Sequence, residues 1–348
     1  MTGRGKPPMR TNGGRMKAIV LASVLAASLV PTFVPGAAWA GSGFDVVVLG
    51  ARGGIEDGNL SAYLVGAHGQ GDYVTCDAGA LVNGLRVADA KGAFGEIEVP
   101  ADSPYGRIGY VLTDRIKGYL ISHAHLDHIE GLIVASPDDS KKPIYALPSV
   151  NERIERNYFN WEAWPNFGDV GKPPALGKYH YENLTPGEAT PLAGTGMNVT
   201  AFPLSHGGVE STAFLIENGE DALLCFGDTG PDAVEKTTKI HDVWTAVAEK
   251  AKEHRLKAII IESSYSNAQP DRQLFGHLTP AWLLKSLHDL DEQAGGGALK
   301  DLPVVVSHIK YSLKKGDQPQ VEILKELHDG NDLGVKFIVP EQGAHWRF

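Results

Sequence analysis

Only two cysteines, Cys76 and Cys225, occur in 348 residues. A disulfide framework is therefore excluded, and neither cysteine has a second one at metal-ligand spacing. Basic charge is also scarce: 32 lysines and arginines face 42 aspartates and glutamates, for a formal net charge of -10. That balance argues against holding nucleic acid by phosphate neutralisation alone. Apart from one N-terminal candidate, no apolar run approaches the roughly 18 residues needed to span a bilayer. Internal repeats and low-complexity tracts are missing, while a hydrophobic content of 43% supplies a sizeable core. What remains is a globular, acidic chain.

Its first forty residues read as a leader. Arg4, Lys6, Arg10, Arg15 and Lys17 precede the first acidic residue, Asp45. An apolar stretch (18–30), Pro31, Pro35 and Ala38-Trp39-Ala40 follow. A basic head, short apolar middle and A-x-A ending form the pattern of a secretory signal peptide cleaved after Ala40. A membrane anchor is disfavoured because the stretch is short and broken by prolines. Met9 and Met16 are alternative starts. Residues 41–348 are then expected to form a single exported domain, periplasmic or secreted, with no membrane contact after cleavage. Export makes a Cys76–Cys225 disulfide an option, but both cysteines end apolar runs and are read as buried free thiols.

Short apolar runs bounded by Gly, Asp, Asn or Pro predict strands at 46–49, 62–65, 73–76, 118–121, 144–146, 197–202, 212–216, 222–226, 258–261, 304–306 and 337–339. Helical spacing predicts helices over 232–255, from the Thr279 cap to Gly295, and around 320–327. Strands and helices in both halves imply an α/β fold with two mixed sheets packed together and flanked by helices. Two stretches, 83–115 and 151–181, fit no simple element and are read as insertions. The second holds seven aromatics, so it is read as a lid or binding insertion.

The chemistry concentrates after the strand at 118–121, where Ser122-His123-Ala124-His125-Leu126-Asp127-His128 places four potential metal ligands in six residues. Three later strands each lead to another: His206, Asp228 and His308. Strand ends gathered at one sheet edge would converge these side chains. Imidazole and carboxylate donors suit Zn²⁺, with Mn²⁺ or Fe²⁺ as alternatives, and an open position for water marks a catalytic site. Seven ligands exceed one tetrahedral ion and suit two ions about 3.5–4 Å apart.

The H-x-H-x-D-H run followed by His, Asp and His resembles the metallo-β-lactamase superfamily, an αββα sandwich with a dinuclear site. The resemblance implies His123, His125 and His206 on one metal, Asp127, His128 and His308 on the other, and Asp228 bridging. Further segments are similar to class II 3′,5′-cyclic-nucleotide phosphodiesterases: 53–65 (GGIEDGNLSAYLV), 123–132 (HAHLDHIEGL), 159–167 (FNWEAWPNF), 226–232 (FGDTGPD), 275–280 (FGHLTP) and 307–312 (SHIKYS). That resemblance implies hydrolysis of cyclic nucleotides, cAMP before cGMP, to 5′-monophosphates by a hydroxide held between two divalent ions. A ribonuclease Z-like phosphodiesterase, a lactonase or a β-lactamase are the enzymatic alternatives. A secreted metal scavenger is the non-enzymatic one.

Glu262 ends the strand at 258–261, and His277 lies two residues before the Thr279 cap. This pair resembles the Glu…His pair of ribonuclease Z relatives, which with the motif aspartate, here Asp127, implies a proton relay. The helix dipole at that cap would favour an anion and disfavour protonated imidazole, so Glu262 is needed to keep His277 charged. Phe159, Trp161, Trp164 and Phe167 are read as a hydrophobic wall with a stacking face for the base, core packing or a dimer contact being the equal alternative for any single ring. His241, His254, His288 and His328 lie on or beside helices, and His68, His180 and His345 lack a partner at ligand spacing. Residues 50–54 are read as a tight turn. The oligomeric state, a homodimer included, is left open.

Overall fold

The computed structural model of the protein describes residues 42–348. The expected signal peptide, 1–40, lies outside them. Period-two alternation along the central strands explains the layering. Ala258, Ile260 and Val305 belong to a core cluster shared with the first sheet, whereas Ile259, Ile261, Val304 and Val306 belong to a second cluster covered by helices. Both faces of these strands are buried, which is why they read as continuous apolar runs.

The first sheet runs from His345–Arg347 through Phe44–Gly50, Ala62–Ala67, Tyr73–Cys76, Ile116–Leu120 and Lys142–Ala146 to Tyr179–Asn183. The second runs from Lys336–Ile338 through Pro303–Ser307, Leu256–Glu262, Asp221–Phe226, Val209–Asn218 and Asn198–His206 to Ala189–Pro191. In each sheet one half is antiparallel and the other parallel. Helices Val82–Ala90, Leu126–Ala135 and Pro148–Asn157 pack apolar residues such as Leu85, Leu132 and Ile154 into the first cluster. Lys239–Lys252, Pro280–Gln293 and Pro319–Asp329 cover the second with Trp244, Leu287 and Ile323. The expected helix-flanked pair of mixed sheets is therefore present. Among the described residues no helix is long and apolar enough to cross a membrane.

Several local expectations need correction. Residues 83–115 are not featureless, because they hold most of Val82–Ala90 and a helical turn from Arg107. The 151–181 stretch begins inside Pro148–Asn157 and ends in the edge strand Tyr179–Asn183, leaving an irregular loop between. The helix read over 232–255 is broken at Lys236, which sits at φ 58°, into Asp232–Glu235 and Lys239–Lys252. Thr279 occupies the N-cap position, but its side chain makes no capping hydrogen bond. Cys76 and Cys225 are buried free thiols.

Candidate metal centre

Parallel strands end where ligands are needed, at the carboxyl edge that open α/β sheets use for binding. Ile116–Leu120 leads to His123, Asp221–Phe226 to Asp228, Leu256–Glu262 carries Glu262 at its end, and Pro303–Ser307 delivers His308. The antiparallel Asn198–His206 ends in His206. His125 occupies the N-cap position of Leu126–Ala135, whose first turn carries Asp127 and His128. The seven candidate ligands, with Glu262 and His277, meet here.

Asp228 Oδ2 is the hub. It lies 3.3 Å from both His128 Nε2 and His308 Nε2, 3.7 Å from His206 Nε2 and 3.8 Å from His123 Nε2. His308 Nε2 is 3.1 Å from His128 Nε2 and 3.2 Å from Asp127 Oδ2. With metal–ligand bonds near 2.0–2.1 Å, two donors on one tetrahedral ion sit roughly 3.3 Å apart. Asp127, His128, His308 and Asp228 match that spacing. A second set, His123, His125 and His206, also gathers its donor atoms closely, with His123 Nε2 3.0 Å from His125 Nδ1. Ring nitrogens aimed at one another and at a shared carboxylate oxygen are a poor hydrogen-bond network. They are a good donor set for divalent cations.

The electrostatics point the same way. Burial and the adjacent His128 hold His123 well below the usual imidazole range. Burial would raise Asp228, but His308 and His128 pull it well below the carboxylate range. Burial opposes charge on His128, yet Asp228 and Asp77 raise it well above normal. A proton and a metal ion are alternatives at its Nε2, so metal binding there would release a proton.

Behind the donors stand residues that orient them. Asp77 Oδ2 lies 2.7 Å from His128 Nδ1, and Asp77 also accepts from the Ser122 N–H and hydroxyl. His206 Nδ1 sits 2.8 Å from the Gly276 carbonyl. Ser264 Oγ donates to Glu262 at 2.6 Å and lies 2.9 Å from His308 Nδ1. The Gly54 N–H donates to Asp127 Oδ2 at 2.8 Å. A Cβ on Gly53 would fall within 2.2 Å of the His308 ring. The stretch 50–54, expected as a tight turn, instead carries the end of Phe44–Gly50 and the short strand Arg52–Gly53, and it walls the centre. Asp77 could have been found, since it follows an apolar strand just as Asp228 does.

Glu262 and His277 form the expected pair. Glu262 Oε1 is 3.0 Å from His277 Nδ1, and both side chains are buried. Glu262 also accepts the N–H groups of Thr229 and Leu278. Burial pushes the His277 imidazole down, but the Glu262 carboxylate reverses this and the net direction is up.

The aromatic wall is corrected. Phe159 is 0% exposed and stacks on Tyr179, and Phe167 packs edge-on against it. The Trp164 N–H donates to Ser136 Oγ. Only Trp161, at 40%, is an exposed large ring among the four. Their packing energy goes into the core. Other histidines take ordinary partners, His68 with Asp45, His180 with Asp169, His241 with Asp289 and His288 with Asp332.

Comparison with known proteins places this architecture. A 3′,5′-cyclic-nucleotide phosphodiesterase of Aliivibrio fischeri is 54% identical over 306 residues, covering 88% of this chain and 93% of that protein. Unliganded yeast PDE1 superposes with a TM-score of 0.74 at 24% identity, covering 88% of this chain and 99% of that one. The metallo-beta-lactamase fold protein YhfI from Bacillus subtilis superposes at 0.58 with 16% identity, covering 88% and 100%. The fold is that of the metallo-β-lactamase proteins. Residues 46–343 match the family described as cAMP phosphodiesterases class-II, and the chain belongs to it.

Proposed function

We propose that the protein hydrolyses 3′,5′-cyclic nucleotides, cAMP first, to nucleoside 5′-monophosphates. The name and close similarity of the Aliivibrio fischeri relative support the substrate class. The observation that carries the reaction is the buried Glu262–His277 pair set against a cluster of imidazole and carboxylate donors. In this reading His123, His125 and His206 would hold one divalent ion and Asp127, His128 and His308 a second, with Asp228 serving both. Such ions, Zn²⁺ first, would supply Lewis-acid charge and an acidified water.

The chain's own residues handle the rest. Asp127 is held by the Gly54 amide, so its carboxylate stays aligned at the mouth. Opening the ring toward a 5′-monophosphate expels the ribose 3′-oxygen, an alkoxide too basic to leave unaided. His277 keeps one proton on Nδ1, donated to Glu262, and can deliver the other from Nε2. Such general acid catalysis contributes about 10²–10⁴-fold. The leader-like 1–40 segment supports export, to the periplasm or beyond.

The test is His277→Ala with product identification. The variant should retain its metals yet lose most cAMP hydrolysis. The defect should shrink sharply on bis-p-nitrophenyl phosphate, whose leaving group is stable as an anion. Equal damage on both substrates, or cleavage of nitrocefin or linear dinucleotides in preference to cAMP and cGMP by the unmutated protein, would overturn the reading.

A further inference from the structure

Lys310 has no role in the centre described so far, yet its position is built. His308, at φ 56°, turns the chain out of the second sheet into the short strand Ile309–Lys310. That strand pairs in parallel with Arg52–Gly53, placing Lys310 opposite Gly53. On its other side the Lys310 N–H donates to the Ser264 carbonyl at 3.2 Å. Ile309 is fully buried, so the alternation of a strand sends Lys310 the other way. A Cβ built on Gly54 would meet Lys310 Cδ at 3.3 Å and Nζ at 3.9 Å. Its ammonium therefore stands over the glycine whose amide holds Asp127.

The surroundings make this lysine unusual. Its side chain is partly buried, and among the described residues its ammonium has no hydrogen-bond or ion-pair partner. Its charge opposes protonation of both His277 and His308, although the Glu262 carboxylate leaves His277 raised overall. A cation without a carboxylate, in a chain of net charge -10 and at the rim of a cluster containing Asp127, Asp228 and Glu262, is not explained by the fold. An unpaired ammonium held at the rim of the donor cluster has an anionic ligand as its natural complement.

We infer that Lys310 contacts a non-bridging phosphate oxygen of the nucleotide. This deepens the phosphodiesterase reading and rests on it. The cyclic phosphodiester is a monoanion. Attack by hydroxide adds a negative charge, and the product monoester carries between one and two charges at neutral pH, its second pKa being about 6. A point charge held beside the phosphate therefore stabilises the transition state and the product more than the substrate. Lys310 acts as an electrostatic clamp, not a proton donor.

Inorganic phosphate is the probe, titrated calorimetrically into the metal-loaded full chain alongside cAMP kinetics. Lys310→Ala should keep the wild-type metal content and bind phosphate about 10–100-fold more weakly, the range for a lost hydrogen bond to a charged group. Its kcat for cAMP should fall more than its KM rises, and Lys310→Arg should recover part of both losses. Unchanged phosphate affinity in Lys310→Ala would overturn the assignment, as would loss of metal, or equal weakening in both variants. A wild-type protein that turns over no cyclic nucleotide would sink the phosphodiesterase reading instead, and the phosphate titration would still judge Lys310.

Discussion

Two buried charged clusters among the described residues are built on opposite principles. In the first, Asp139 Oδ1 pairs with Lys142 Nζ at 2.8 Å, while Asp139 Oδ2 accepts from the Tyr119 and Tyr179 hydroxyls. Lys142 also donates to the Leu112 carbonyl at 2.6 Å. Donors meet acceptors throughout, and charge is cancelled inside the cluster. In the second, around Asp228, nitrogens face nitrogens and several imidazoles converge on one carboxylate oxygen. A closed cluster of the first kind fixes a structure. An open cluster of the second kind is completed by a cation and, at its rim, by an anion.

The strongest way to break this contrast is Asp228→Ala. On the proposed two-ion reading, a carboxylate shared by both donor sets would position both ions, so the variant should lose bound metal and measurable turnover together. Elemental analysis showing two metals per chain with normal turnover would remove the shared role. The same surgery on the closed cluster should act differently. Asp139→Ala leaves Lys142 buried without a counter-charge, a loss of about 3–5 kcal/mol in folding stability. Denaturant titration measures it, and kcat per folded molecule should stay near wild type. If activity falls while stability holds, the closed cluster is not merely structural.

Asp77→Asn sharpens the comparison from behind the donors. Asp77 sits at φ 54°, a conformation asparagine tolerates, so the backbone should survive. His128 loses its carboxylate partner, and metal affinity should drop about 10–100-fold in competition with a chelating dye. The smallest effect belongs to an exposed pair. The Asp169 hydrogen bond raises His180 above its ordinary value. A raised imidazole contributes stability that is full below the unfolded pKa and is lost as pH climbs through the folded one. Asp169→Asn should therefore destabilise by only a few tenths of a kcal/mol in acid. Relative to wild type, the deficit should fade as pH climbs from the ordinary imidazole value of about 6.5 through the raised folded one. A deficit that persists at the alkaline end would mean that Asp169 acts through something other than charge.

Strand positions were legible because buried strands here are apolar runs closed by turn residues. The sheet strands that escaped notice, Tyr179–Asn183, Ala189–Pro191 and His345–Arg347, lie at sheet edges and carry polar residues, so period-two patterning is weak. The two-residue strands Arg52–Gly53 and Ile309–Lys310 are too short to show a period. The donor side chains were legible for a related reason, since each follows or ends a readable strand. Lys310 and Gly53 were not, because their meaning arises from a pairing across more than 250 residues that no local pattern encodes. The aromatic loop misled in the other direction. Its composition suggested a binding face, but Phe159 is spent on the core beneath Tyr179.

One feature of the centre reaches beyond its chemistry. His123, His125, Asp127 and His128 hang from the first sheet, and His206, Asp228, Glu262, His277 and His308 from the second. The groups His123–His125–His206, His123–His128–Asp228 and Asp127–His128–His308 each draw on both. Neither layer alone possesses a finished site, and the contributing residues are strewn from 123 to 308 along the chain. A half-assembled chain is consequently silent toward its substrate, and turnover doubles as a certificate that both layers have met in register.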